Sequence, residues 1–566
     1  MKKVLSAVLA FVMLFSLMAP ITATATANDG AYEKLPMIYI RGNGWHLFDE
    51  NGKEVKTGFD VFGADDEEST LTKETIIETA INILLPFLAG GMLADEWEAY
   101  GDALYEELAP LWDYVTLDGD GNTKNGIVAD PSAYNFQENV RAYQNTGADG
   151  YFDIEDYSFV YDWRLSPYDS VDRLHSYIQK VMKTTKSSQV CLSSRCMGGG
   201  LLNAYLERYG HLGHVKKAFY SDVLSNGCAY LSDTFSGKIK LDGKVMQTYL
   251  KQLEYCGETG FGAGYTLSEL ASEFVGRTMD LMTQLGVVDT VLGGFENLYT
   301  HLYQEFIPAI VLATGYATYP NSWVSVYEED MDTALNLVFG SEGSEERQEN
   351  AGLIEKILYY REHVQKDLPG FYKKISQDYG IKVGVLARYG YVGPPYMESS
   401  ADLSDALVSL QDASFGATTV NAFTPLSDKY VQEKVDAGLG DYISPDKMVD
   451  TSTCAFPETT WIVKNCHHDP GMPFEKIATY FFRYENVTAS SNDRNMARFS
   501  VYCDGSSTST GYLANMTEEN MADFDWMHAA EQKPTNGSKL KAFIKWLTSL
   551  FRFFVKLLKG EISLGK

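Results

Sequence analysis

Positive charge is what this sequence is shortest of. Its 566 residues hold 47 Lys and Arg against 76 Asp and Glu, a formal net charge of −29. That balance argues against nucleic acid or another polyanion as partner. Cysteine is scarce too. The seven, at 191, 196, 228, 256, 454, 466 and 503, show no Cys-x-x-Cys spacing, so no metal site and no cofactor is expected. An odd count in an exported chain leaves at most six paired and one thiol free. Internal repeats are missing. The stretch from Ile76 to Leu93 is apolar but interrupted by Glu78, Asn82 and Pro86, so it reads as a packed or lid helix rather than a membrane span. Aromatic residues are plentiful, at 13% with 37 Tyr, which excludes global disorder.

Met1-Lys2-Lys3, an apolar run to Met18 and the small-x-small site Ala25-Thr26-Ala27 read as a secretory signal peptide over 1–27. Losing Lys2 and Lys3 with no acid moves the net charge from −29 to −31. The expected location is secreted, at the cell surface or membrane-associated.

The run Val190-Cys191-Leu192-Ser193-Ser194-Arg195-Cys196-Met197-Gly198-Gly199-Gly200 carries the most chemistry. It reads as an apolar strand, a sharp turn and a helix beginning at Leu201-Leu202. A nucleophile elbow needs small residues two before and two after its nucleophile, because the strained turn brings backbone close to the neighbouring strand and helix. Ser194 and Gly198 meet that demand around Cys196, and no neighbouring serine is so flanked. The nucleophile of this elbow would be a thiol. The competing reading is an ordinary Gly-rich turn with a buried Cys.

Strand and helix alternate from 35 to 225: Leu35 to Ile40, Tyr157 to Tyr161, a helix at 170–183, the elbow, and Val215 to Tyr220. This pattern predicts an α/β fold with a mostly parallel sheet and crossover helices. The division expected is a first core part over 28–225 with lid-like helices at 70–113, an inserted helical cap over 226–378, and a second core part over 379–490. A turn-rich extension and linker follow over 491–538, then a basic amphipathic helix over 539–566. In that tail Leu540, Phe543, Ile544, Leu547 and Phe551 share one face and Lys541, Lys545 and Arg552 the other. Such a helix lies in a membrane interface or docks on the acidic body of its own chain. Leu117-Asp118-Gly119-Asp120-Gly121-Asn122 superficially resembles a calcium loop. Thr123 and Ala129 stand where the EF-hand needs Gly and Glu, so a polar hairpin turn is expected.

In a parallel sheet the partners of an elbow nucleophile follow on loops after later strands, in the order nucleophile, acid, histidine. After Ile381 to Ala387 come Asp402 and Asp405. After Thr459 to Val463 come His467 and His468. Asp405 is the expected acid, with Asp402 and Asp412 as alternatives. His468 is the expected base, with His467 as alternative. The turn puts Cys196 at a helix N-terminus, whose amide dipoles favour negative charge. The backbone N–H of Met197 and one from the Gly42-Asn43-Gly44 loop would hold an oxyanion, with Asn43 adding a side-chain donor.

Tyr161-Asp162-Trp163-Arg164-Leu165-Ser166-Pro167, with the elbow and its Met197-Gly198-Gly199 about thirty residues on, resembles the lecithin:cholesterol acyltransferase and lysosomal phospholipase family of α/β-hydrolases. Members carry Ser where Cys196 stands, and transfer or hydrolyse acyl chains of phospholipids under a mobile lid. The resemblance implies an α/β-hydrolase fold with Cys196 as nucleophile, Asp405 as acid and His468 as base, and a lipid or other acyl ester as substrate. The acid segment Leu403-Ser404-Asp405-Ala406-Leu407-Val408 matches the family loosely. The expected function is a secreted acyl-ester hydrolase or acyltransferase working through an acyl-thiol. The alternative is an inactive α/β-hydrolase fold that binds a lipid or surface ligand.

Overall fold

Apolar runs flanked by Gly and polar turns make the strands of one sheet, and both faces of that sheet are covered. The computed structural model describes residues 35–40, 42, 47–55, 97–124, 126–129, 157–238, 240, 244–245, 248–249, 252, 307–394, 397–468, 475–490, 496–503 and 512–523. Residues 1–27, read above as a signal peptide, Asn43, the segment 70–96, Cys256, the linker 531–538 and the tail 539–566 lie outside the described residues.

The sheet has eight strands: β1 Met37–Ile40, β2 Tyr157–Phe159, β3 Val190–Cys196, β4 Val215–Val223, β5 Lys382–Tyr389, β6 Thr460–Lys464, β7 Phe499–Cys503 and β8 Tyr512–Asn515. Their order across the sheet is β8-β7-β6-β5-β4-β3-β1-β2. Every pairing is parallel except β7 with β8. The fold is therefore α/β with a mostly parallel sheet.

Side chains alternate between two buried clusters, as a parallel sheet covered on both faces requires. Ile38, Ile40, Leu192, Ala218, Tyr220, Val385 and Ile462 belong to one cluster. Met37, Cys191, Phe219, Leu386, Trp461 and Val463 belong to the other.

The described helices used below are α1 Trp97–Trp112, α2 Pro167–Thr185, α3 Gly198–Tyr209, α4 Ala229–Ser236, α5 Ile307–Ala313, α6 Met331–Phe339, α7 Ala351–His363 and α8 Glu475–Arg483. Helix α2 starts with Pro at its first turn, where the missing N–H costs nothing. Its Val171, Leu174, Ile178 and Val181, with Leu201, Leu202 and Tyr205 of α3, pack on the first face. Ile477, Phe481 and Phe482 of α8 cover the second. Lys217 Nζ, buried in β4, donates to the carbonyls of Phe481, Phe482 and Tyr484 at 3.1, 3.3 and 2.7 Å, so the end of α8 is tied to the sheet.

The described part of the segment expected as a cap is helical. Phe235 of α4, Val311 of α5, Met331, Leu335 and Phe339 of α6, and Leu353 and Ile357 of α7 form a smaller core with Trp323. No described helix is long and apolar enough to cross a membrane.

One expectation needs correction. The extension after residue 490 is not only turns, because β7 and β8 lie there and complete the sheet edge. The cysteine spacing assigns no disulfide, and among the described cysteines Cys228, Cys454 and Cys466 are free thiols. Asp118 makes the expected turn. Its Oδ1 accepts from the amides of Asp120 and Asn122 at 3.1 and 2.8 Å, and the Lys356 ammonium sits on Gly121 O and Asn122 Oδ1.

Candidate active site

Cys196 ends β3 with φ +52°, in the left-handed region where a side chain is strained. The register of β3 on β4 slips between Arg195 and Cys196, so the chain leaves the sheet abruptly there. Helix α3 begins two residues later, after Met197 as N-cap. Close packing after the nucleophile is found at Gly199, one residue past the expected Gly198. A Cβ there would lie 2.6 Å from Val223 Cβ and 2.6 Å from Ser225 Oγ. On the other side of the elbow Gly42 continues β1. A Cβ at 42 would lie 3.1 Å from both Arg195 O and Cys196 Cβ. Gly42 and Met197, two of the three expected oxyanion residues, thus border the sulfur, and Asn43 is not described.

Asp405 lies in the loop after β5, in a tight turn in which its amide donates to Val408 O at 3.2 Å. It is fully buried. Its Oδ1 accepts from the amides of Leu407 and Val408 at 3.0 and 2.7 Å, and its Oδ2 is 2.8 Å from His468 Nδ1. Burial works against its charge, but His468 and the two amides outweigh it and hold the carboxyl below its ordinary range. An ionised carboxylate only accepts, so His468 Nδ1 carries the proton and Nε2 faces away.

His468 follows β6 and is buried. Burial opposes a charged ring. Asp405 first, and then the Cys196 sulfur, reverse this and push the imidazole up to about 10. Nε2 itself is buried without a hydrogen bond of ordinary geometry, so its link to the sulfur is electrostatic first. Loose nucleophile–base contacts of this kind are usual before substrate binds.

Beneath this pair lies a network that sequence reading missed. Arg388 Nη1 donates to His468 O at 2.9 Å, and Arg195 Nη2 donates to the same carbonyl. Arg388 Nε is 2.8 Å from Asp222 Oδ2, and both side chains are buried. Burial raises the Asp222 carboxyl although Arg388 pulls the other way. Arg388 sits in β5 and Asp222 in the adjacent β4, so only the pairing of these strands reveals the contact.

The alternative acids and base are engaged elsewhere. Asp412 Oδ2 accepts from Ser409 Oγ at 2.7 Å, Tyr327 OH at 2.8 Å and the Ala229 amide at 3.2 Å, which ties α4 and the 316–330 segment to the acid loop. Burial pushes its carboxyl up to about 6. Asp402, also pushed up to about 6 by burial with Asp412 and Asp233 adding, accepts at its carbonyl from Tyr230 OH. The His467 ring packs edge-on to Tyr391 at 6.2 Å.

The Tyr161 to Arg164 run folds against this site. The Arg164 guanidinium is fully buried and forks onto Asp162, with Nε to Oδ1 at 3.0 Å and Nη2 to Oδ2 at 2.6 Å. Its other donors reach Val115 O at 2.8 Å and Ile127 O at 2.9 Å. Trp163 packs edge-on to Tyr319 at 5.4 Å, and Asn321 Nδ2 donates to Trp163 O at 2.9 Å. Tyr161 and Tyr316 both lie within electrostatic reach of Cys196. Burial raises both phenols, that of Tyr316 to about 12, and the sulfur adds to each rise.

No known family profile matches the chain, and no curated protein does. Among solved structures the chain aligns with one described as the crystal structure of the Tle4-Tli4 complex, at 17% identity and a TM-score of 0.18. The alignment covers 36% of this chain and 48% of the other, about half its length. A likeness of that size carries no argument about fold or function.

A thiol on a left-handed turn, an imidazole held by a buried carboxylate, and helix-start amides beside the sulfur are the parts that acyl transfer needs. Among the described residues no group of His, Cys, Asp and Glu is arranged to hold a metal.

Proposed function

We propose that this chain is an acyl-ester hydrolase or acyltransferase of the α/β-hydrolase type, with Cys196 as nucleophile, His468 as base and Asp405 as acid. One observation carries the proposal: Cys196 sits at φ +52° between a parallel strand and its helix, while His468 and Asp405 pair at 2.8 Å on the loops after β6 and β5. The order in the chain, nucleophile, acid, histidine, and the place of each at a strand's C-terminal end support the same reading.

In the proposed reaction the Cys196 sulfur attacks the ester carbonyl as His468 Nε2 takes the thiol proton. The carbonyl oxygen becomes an oxyanion against the amides at Met197 and Gly42. When it collapses, the C–O bond breaks and the leaving alcohol takes the proton from His468. Water or another alcohol then adds to the thioester, His468 takes its proton, and the thiol is released with the proton returned. Asp405 holds the tautomer and offsets the imidazolium charge throughout.

The surroundings of the sulfur favour an apolar acyl group. Cys196 belongs to the same buried cluster as Met197, Tyr161, Tyr319 and Val324. Together with the leader 1–27 and the basic amphipathic tail 539–566, this suits an exported enzyme that meets lipid-like esters at a membrane surface.

The test is intact-mass spectrometry of residues 28–566 after brief exposure to short- and medium-chain p-nitrophenyl esters, beside Cys196→Ala. A gain of one acyl group that the variant lacks is the expected result. No adduct and no nitrophenol with any chain length would overturn the enzyme reading in favour of a non-catalytic lipid binder.

A further inference from the structure

The order of the sheet brings a second side chain to the neighbourhood of the nucleophile. In the parallel pairings Ile40 is opposite Phe159 on one side and Ser194 on the other. Tyr161 comes two residues after the end of β2, Gly42 two residues after the end of β1, and Cys196 ends β3, so the three stand at the C-terminal ends of three adjacent strands. Tyr161 lies within electrostatic reach of the Cys196 sulfur. Neighbouring strands are about 4.8 Å apart, which puts the ends of β2 and β3 roughly 10 Å apart with the end of β1 between them. A phenol spans most of that gap. Gly42 leaves the gap open, since a Cβ there would fill it 3.1 Å from Cys196 Cβ.

The hydroxyl at the end of that phenol makes no hydrogen bond of ordinary geometry in the folded chain. Tyr161 is 3% exposed, and its OH is buried without a hydrogen-bond partner. Asn321 lies close enough to act on the phenol, but its Nδ2 is given to Trp163 O at 2.9 Å, and its contact with the Tyr161 hydroxyl falls short of hydrogen-bonding geometry. A buried unsatisfied hydroxyl costs about 1–3 kcal/mol, which natural cores avoid unless the group has a use. Burial also keeps this phenol protonated, with its ordinary titration moved upward.

We propose that the Tyr161 hydroxyl is a catalytic donor of the oxyanion site, reaching over Gly42 to the carbonyl oxygen of an acyl group on Cys196. The proposal rests on the acyl-transfer reading and adds a side-chain donor to its backbone amides. A neutral OH fits this task, because it gives a hydrogen bond as charge gathers on oxygen and takes up no proton.

The test compares wild type with Tyr161→Phe in three measurements. The first is the acylation rate with a p-nitrophenyl ester, followed by nitrophenol burst and intact mass. The second is the rate of Cys196 alkylation by iodoacetamide, a displacement that creates no oxyanion. The third is the thermal midpoint. The expected result is an acylation rate and kcat about 100-fold lower with KM little changed. Alkylation within twofold of wild type and a midpoint equal or higher are expected alongside, since the variant loses only an unsatisfied hydroxyl. Equal acylation by the two proteins overturns the proposal and leaves the acyl-transfer reading standing. Slower acylation accompanied by equally slowed alkylation and a lower midpoint also overturns it, because Tyr161 would then only shape the elbow. A wild type that forms no acyl adduct sinks both readings.

Discussion

His468 and Asp405 are joined twice: the ring Nδ1 lies 2.8 Å from the carboxylate Oδ2, and the His468 amide donates to the Asp405 carbonyl at 2.8 Å. The main-chain bond fixes the distance between the loops, and the side-chain bond fixes the tautomer. Asp405→Asn keeps the first and disturbs the second. We expect kcat on a soluble ester to fall on the order of 10³- to 10⁴-fold, with the fold intact by circular dichroism. Activity near that of wild type would remove Asp405 from the site.

The pH dependence of stability follows from the same pair. The imidazole is raised from its ordinary 6.5 to about 10. Its contribution is therefore complete below pH 6.5 and is lost as pH rises from 6.5 through 10. Asp405, held below its ordinary 3.8, contributes above that value and loses its effect as pH falls through its lowered one. The urea midpoint of wild type should fall between pH 6.5 and 10 more steeply than that of His468→Gln. Parallel curves for the two proteins would show that no charged imidazole stabilises the fold.

Arg388 offers a test of the support beneath the histidine. Met in its place would leave Asp222 buried without its cation and free one hold on the His468 carbonyl. Breaking one partner of a buried pair costs about 3–5 kcal/mol. A guanidinium chloride titration should find a loss of that order for Arg388→Met, and a loss below about 1 kcal/mol would mean that the Asp222 carboxyl is neutral already.

What was legible in the sequence is the local grammar around the site. The apolar run ending in Ser194-Arg195-Cys196 and the glycines after it specify strand, turn and helix through small residues alone. The acid and histidine loops were legible because each follows an apolar run that only a buried strand needs. Distance along the chain hid the rest. Asp222 and Arg388 are 166 residues apart and meet through strand pairing. Phe499–Cys503 and Tyr512–Asn515 mix Ser, Tyr and Asn with apolar residues amid turn residues, and so resemble loop. Tyr161 looked like part of a motif rather than a side chain with its own destination. Its place just past the end of β2, two strands from the end of β3 where Cys196 sits, shows only in the order of the sheet.

Gly199 tests the packing of the elbow helix. Its missing Cβ leaves room for the stiff side chain of Val223, 2.6 Å from where that Cβ would stand. Gly199→Ala should cost about 1–3 kcal/mol by overpacking, although α3 is a helix in which Ala is otherwise preferred. Thermal unfolding decides the matter, and a stabilised variant would mean that α3 and β4 are further apart than described.

The elbow's strain can be read without any substrate. In most backbone positions Ala is more favourable than Gly by about 0.5–1 kcal/mol, because Gly loses more freedom on folding. At φ +52° the order should reverse, since a Cβ in the left-handed region costs about 1–2 kcal/mol and Gly carries none. Cys196→Ala and Cys196→Gly both remove the sulfur, so their difference isolates the backbone. Cys196→Gly is expected to unfold at an equal or higher temperature than Cys196→Ala. If Ala proves the more stable by the usual margin, residue 196 does not sit on a left-handed turn. The strain that would push its thiol toward a substrate carbonyl is then absent, whatever reaction the thiol performs.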